Sequence, residues 1–164
     1  MARERTSVER IISGGQTGAD RGGLEAGLAV GVDIGGVCPA GRRAEDGRVP
    51  ARYPLVEHAS SAYPPRTRAN VEAADATLVL TLGPPDRGTA LTLRLARASG
   101  KPCLWLDLSL TTDEDAAGGV VAWLAAARPR TLNVAGSRES SAPGLGERTR
   151  RTLVLALSPA GDDE

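Results

Sequence analysis

With 164 residues, 20 basic and 20 acidic side chains and a formal net charge of zero, the chain has the size of one domain and lacks the basic excess of a general nucleic-acid binder. Aromatic residues make up only 2% and Phe is absent, so a core must be built from Val, Leu, Ile and Ala, which suits strands covered on both faces by helices. Residues 1–9 carry no apolar targeting segment and no run approaches the length of a membrane span, so the expectation is a soluble, cytoplasmic protein without a membrane partner.

The stretch Ile11-Ile12-Ser13-Gly14-Gly15-Gln16-Thr17-Gly18-Ala19-Asp20 reads as a buried strand, a glycine-rich turn and the start of a helix. Such a turn can aim several backbone N–H groups at one point and hold a phosphate or similar oxyanion. Gly14, Gly15 and Gly18 permit close approach because they lack Cβ. Their spacing matches neither the dinucleotide nor the P-loop fingerprint. Thr17 and Asp20 fit a capping box, and the helix should end near Gly31. Gly23, Gly27 and Gly31 recur every four residues, which places one helix face very close to the sheet, flanked by Leu24 and Leu28.

Residues 32–37 suggest a second strand, and residues 38–48 a long polar loop of the kind that is often functional. Residues 53–57 can add an edge strand. Pro64 and Pro65 open a helix that continues to Ala74, with Val71 and Ala74 inward. The apolar run 76–82 predicts a strand at the sheet centre, followed by a turn at 83–89 and a helix whose buried stripe is Leu91, Leu95 and Ala98. Residues 102–108 predict another buried strand. Thr112 to Asp115 forms a second capping-box candidate before a helix to Arg128, with Val120, Leu124 and Ala127 inward. Residues 131–135 predict the last strand and 136–141 a third polar turn. Pro143 then begins a closing helix that buries Leu145, Leu153 and Leu157.

Strand and helix alternate throughout, so the expected fold is α/β: a single domain with an open, mostly parallel sheet and helices on both faces. It should occupy residues 10–158, with 1–9 and 159–164 as flexible termini.

In such sheets ligands sit beyond the carboxyl ends of the strands, where the Gly14, Gly83 and Gly136 turns would meet. The candidate ligand-binding residues begin with Gly14, Gly15, Gln16, Thr17 and Gly18, the side chains of Gln16 and Thr17 adding donors. Asp20 would repel an anion unless it caps the helix or meets an Arg such as Arg21. The loop alternates Arg42, Arg43 and Arg48 with Glu45 and Asp46. It is either a self-neutralising solvated loop or a lid whose Arg forks grip phosphate. Gly88, Thr89, Gly136, Ser137 and Arg138 join the site by position, Arg138 being the first side chain to mutate. Arg66 and Asn70 can reach the edge from their helix. Cys38 and Cys103 are far apart with no CxxC, which indicates neither a disulfide nor a metal site. Cys38 reads as a buried inert thiol, His58 lacks triad partners, and Trp105 and Trp123 read as core.

The segments ISGGQTGADRGGLEAGLAVG, GGVCPAGRRAEDGRVPARYPL, RTRANVEAADATLVLTLG, RGTALTLRLARASGKP and LNVAGSRESSAPGLGE resemble the family called "putative molybdenum carrier", circularly permuted YpsA-like members of the SLOG superfamily. The resemblance runs in the family's order from Arg10 to about Leu157. It implies a Rossmann-like fold, related to the molybdenum cofactor carrier of algae and, more distantly, to the lysine-decarboxylase-like LOG proteins that hydrolyse nucleoside monophosphates. It also implies a homo-oligomer, a dimer or tetramer. The superfamily's PGGxGTxxE turn corresponds to residues 83–92. Gly88 and Thr89 fit it, but Thr92 stands at the acidic position. A glycosidic hydrolase needs that carboxylate, so the implied function is a binding protein rather than an enzyme.

Its ligand would be a phosphorylated small molecule, with the molybdenum cofactor (molybdopterin) or a nucleotide as candidates. The loop arginines would then grip phosphate or a pterin dithiolene oxyanion, and Glu45 or Asp46 would read ring N–H edges. One alternative is a nucleoside-monophosphate phosphoribohydrolase in which Asp20, Glu45 or Asp46 supplies the carboxylate. The other is a nucleotide sensor.

Overall fold

A computed structural model describes residues 6–159; residues 1–5 and 160–164 of the expected flexible termini lie outside the described residues. Chain order is β1 (Arg10–Ile12), α1 (Ala19–Val30), β2 (Asp33–Gly35), β3 (Val37–Cys38), β4 (Arg43–Ala44), β5 (Gly47–Arg48), β6 (Val56–Glu57), α2 (Tyr63–Ala73), β7 (Ala76–Thr81), α3 (Arg87–Ala98), β8 (Cys103–Asp107), α4 (Asp113–Ala127), β9 (Thr131–Gly136) and α5 (Leu145–Leu157). Five strands form the main sheet in the order β2-β1-β9-β7-β8, with every neighbouring pair parallel. The fold is therefore the expected single-domain α/β arrangement. Right-handed crossovers put α1 and α4 on one face and α2 and α3 on the other. The helix packing follows, α5 lying against α1 and α4 while α2 lies against α3.

All six residues of β7 are buried. Leu78, Leu80, Leu132 and Val134 meet Val120 and Leu124 of α4 and Leu145 and Leu153 of α5 in the main core. A smaller cluster of Leu24, Cys38, Val49, Tyr53 and Leu55 anchors the long loop.

Several elements differ from expectation, each for a local reason. Gly23 and Gly27 do bring α1 onto the sheet: a Cβ there would lie 2.7 Å from Val134 Cβ and 2.5 Å from Ile34 Cγ2. Gly31 instead supplies the left-handed C-cap at φ 80°, and Leu28 is 49% exposed on the far side. The strand expected at 32–37 divides at Gly36, whose φ of 125° turns the chain past Ser13 O. Its first half joins the main sheet as β2, while β3 leaves to pair with β6.

In α3 the buried side chains are Thr89, Thr92, Leu93 and Ala96 rather than the expected leucine stripe, because its first turns border a cleft that accepts polar groups. β8 is a sheet edge, with Trp105 40% exposed. Near the amino terminus, residues 7–9 are held rather than loose. Ser7 Oγ donates to Pro129 O, Glu9 N donates to Arg130 O, and Val8 is buried.

Gly136 ends β9 at φ 155°, and a Cβ there would lie 1.9 Å from Leu80 O. Gly100 also has positive φ, but open space surrounds it. Gly136→Ala should therefore cost about 3 kcal/mol or more through backbone displacement, and Gly100→Ala about 1 kcal/mol from φ alone. Urea denaturation of both variants checks the contrast, and equal losses would contradict it.

Candidate functional site

A cleft of about 340 Å³ opens at the carboxyl edge of the sheet, the place where open α/β sheets bind ligands. β1 and β9 give its floor through Gly14, Asn133 and Gly136, and α2 and the start of α3 form its walls.

The lining includes a buried ion pair. Arg66 Nη1, from α2, donates to Asp20 Oδ2 at 3.0 Å, with side-chain exposures of 11% and 6%. Gln16 N donates to the same oxygen at 3.1 Å. Gly14 makes the pair possible, since a Cβ there would sit 1.6 Å from Arg66 Nη1. Burial pushes the Asp20 carboxyl above its ordinary value, outweighing the downward pull of Arg66 and of the Gln16 N–H.

Around this pair three buried polar atoms that can donate have no partner: Gln16 Nε2, Arg66 Nε and Thr89 Oγ1. All three residues line the cleft and are at least nine-tenths buried. The Gln16 amide is oriented by its carbonyl, which accepts from Thr17 N at 3.1 Å and Glu45 N at 2.9 Å, so the NH2 end is the one left over. Unpaired buried donors are costly, and a bound acceptor would satisfy them.

The backbone cradle expected at residues 14–18 is revised, because internal acceptors already occupy most of its N–H groups. Gly15 N donates to Ser13 Oγ, Gln16 N to Asp20, Thr17 N to Gln16 Oε1, and Ala19 N to Ser137 O. Gly18 serves close packing, as a Cβ there would lie 2.3 Å from Ser137 O. The capping box is absent too: the α1 N-cap is Gly18, and Thr17 Oγ1 accepts from Glu139 N instead. At α3, Asp86 caps the helix by accepting from Thr89 N at 2.8 Å.

The polar loop is a two-stranded hairpin, β4 and β5, tied down at several points. Arg42 is not a ligand grip: its guanidinium donates to four carbonyls, those of Val49, Pro50, Tyr53 and Leu55, and organises the loop from inside. Asp46 pairs bidentately with Arg21 at 2.5 and 2.7 Å. The Glu45 carboxylate accepts from Ser140 N at 3.1 Å and Ser140 Oγ at 2.8 Å, with Arg138 Nε at 3.6 Å. At the cleft mouth the Tyr63 ring has three guanidinium carbons near its centre: Arg43 at 4.7 Å, Arg66 at 5.3 Å and Arg138 at 5.7 Å.

Of the candidates from sequence, Gly14, Gln16, Asp20, Gly88, Thr89, Gly136 and Arg138 line the cleft, while Gly15, Thr17, Gly18 and Ser137 lie outside the lining. Arg42, Arg43, Glu45 and Asp46 lie in the hairpin and outside the lining. Arg66 joins the lining, as does Asn70, whose side chain clips Val37 through its N–H and carbonyl. Sequence reasoning missed Tyr63 and Asn133. A buried Asn inside an apolar strand was the available signal for the second. Among the described residues no group of three or more His, Cys, Asp or Glu could hold a metal, and burial pushes the Cys38 thiol up, away from the thiolate form.

The profile of the circularly permutated YpsA SLOG family matches residues 11–157. The chain belongs to that family. It is similar to a protein from Syntrophus aciditrophicus whose crystal structure is described as that of a putative molybdenum carrier protein. Identity is 40%, the match covers 94% of this chain and 98% of that one, and the TM-score is 0.91. Among curated proteins none matches. In this SLOG-family chain, no helix of the described residues is long and apolar enough to cross a membrane.

Hydrogen bonds from Arg21 hold the Asp46 carboxyl below its ordinary value. Its contribution to hairpin closure is therefore complete above the unfolded carboxylate value of about 4 and is lost as pH falls through the lowered folded value. Amide exchange should show the hairpin loosening only in acid, and Asp46→Asn should loosen it at every pH. An acid response surviving in the Asn variant would contradict the assignment.

Proposed function

We propose that this SLOG-family protein binds a phosphorylated small molecule or oxyanion in the cleft and acts as a carrier of molybdenum cofactor. The observation that carries this reading is the set of unpartnered atoms Gln16 Nε2, Arg66 Nε and Thr89 Oγ1 around one cavity. Anion oxygens are the acceptors that such donors lack. The Syntrophus relative's description as a molybdenum carrier supports the choice of cargo. The donor set fits phosphate or oxo groups and offers no direct metal ligand, so a molybdenum centre would be held through its oxygens and its organic part. The protein would work in the cytoplasm, without nucleic acid.

Calorimetry with orthophosphate, molybdate and a nucleoside monophosphate tests the reading. Gln16→Ala and Thr89→Val should each weaken binding by roughly 10- to 100-fold, the worth of one hydrogen bond to a charged group. No binding by the intact protein would refute it.

A second reading, hydrolysis of a nucleoside monophosphate, draws on Asp86, a carboxylate that lines the cleft. Asp86 already caps α3 and Thr92 Oγ1 donates to Gly88 O, which favours binding without chemistry. Release of free base from a monophosphate would reverse that preference.

The protein would also be a homo-oligomer, a dimer or tetramer. Trp105 on the edge strand β8, 40% exposed, and Leu110, 83% exposed, line one groove with Asp115, Ala116 and Gly119 of α4, and such surfaces favour association. Leu110→Asp should shift the mass seen by light scattering towards monomer; an unchanged mass would place the contact elsewhere.

A further inference from the structure

We infer that the cleft selects a small molecule carrying two anionic groups, and that Arg138 is the outer anchor, which Glu45 restrains until the ligand takes it. This rests on the anion-binding reading above. The inner point is the trio of Gln16 Nε2, Arg66 Nε and Thr89 Oγ1. Arg66's charge is already balanced by Asp20 at 3.0 Å, so the inner point offers directed donors but little net charge.

The outer point differs. Arg138 is 39% exposed, and its carboxylate neighbour Glu45 stands at 3.6 Å from Nε, beyond ordinary hydrogen-bond length. Glu45 instead directs both oxygens to Ser140, at 3.1 and 2.8 Å. The Arg138 fork is thus attracted by Glu45 without being gripped by it. A second phosphoryl group can take the fork bidentately while Glu45 keeps Ser140.

The two points suit one molecule. The guanidinium carbons of Arg66 and Arg138 lie 5.3 and 5.7 Å from the same Tyr63 ring centre; they therefore stand no more than about 11 Å apart, the sum of those two distances. Arg43, at 4.7 Å from that centre, adds positive potential at the mouth. The Glu45 charge weakens the field there and so lowers the affinity of the outer point.

Calorimetry on the full chain with orthophosphate against pyrophosphate, and a nucleoside 5′-monophosphate against its 5′-diphosphate, separates the possibilities. The two-anion probes should bind about tenfold more tightly than their one-anion counterparts. Arg138→Gln should abolish that preference. Glu45→Gln, which removes the charge but keeps one acceptor oxygen for Ser140, should raise affinity for the two-anion probes about threefold or more and that for orthophosphate by less. Melting curves identify any variant that fails to fold, in which case the Arg138→Gln comparison decides. Equal binding of one- and two-anion probes, or weaker two-anion binding in Glu45→Gln, would overturn the inference and leave the anion-binding reading standing. Absence of binding by every probe would overturn both.

Discussion

The buried pair between Asp20 and Arg66 is the constraint from which the site is built. It ties the first turn of α1 to α2, across the end of β1 and through the space that Gly14 leaves by having no Cβ. Removing either partner would leave an uncompensated charge in a dry setting, a loss on the order of 3–5 kcal/mol. The pair also orients a group of the cleft. With Nη1 committed to Asp20, the Arg66 side chain is held in one geometry along the cleft wall, and its Nε is left without a partner. Asp20 additionally accepts from Gln16 N and, through its main-chain oxygen, from Ser13 Oγ. One carboxylate thereby sets the turn that would otherwise have been free to collapse around an anion.

Gln16 couples this floor to the hairpin. Its carbonyl serves Thr17 N and Glu45 N together, so the direction of its NH2 group depends on the hairpin staying in place. Arg42 holds the hairpin base from within, the Arg21–Asp46 pair holds its tip, and Glu45 joins it to the turn after β9. The loop that looked like a gripping lid is therefore mostly a brace. Arg42 is occupied with four carbonyls of the same chain, while Arg43, whose Nη1 donates to Ser61 O, lies over the Tyr63 ring at the cleft mouth.

What the sequence disclosed follows from which interactions are local. β7 was legible because six consecutive residues are apolar or Thr and all are buried. The helix starts at Pro64 and Thr112 were legible because caps and N-terminal prolines act within one turn. The roles of glycines were harder to read. Gly14 and Gly18 lie at the site, but what they make room for, Arg66 and Ser137, comes from 52 and 119 positions away in the chain. The leucine stripe of α3 misled for a related reason. Periodicity reports an apolar face, and here the inward face carries Thr89 and Thr92 because it borders a polar cleft.

The distribution of hydrogen-bond partners then argues for binding over chemistry. A catalytic acid or base needs a free lone pair or proton aimed at the substrate. Asp20 is engaged by Arg66 and Gln16 N, Asp86 by Thr89 N, and Glu45 by Ser140. The buried side-chain atoms of the cleft that have no partner are of the opposite kind, amide, guanidinium and hydroxyl groups that can donate but cannot abstract a proton at neutral pH. The unpartnered donors Gln16 Nε2, Arg66 Nε and Thr89 Oγ1 are complementary to an anion in its ground state.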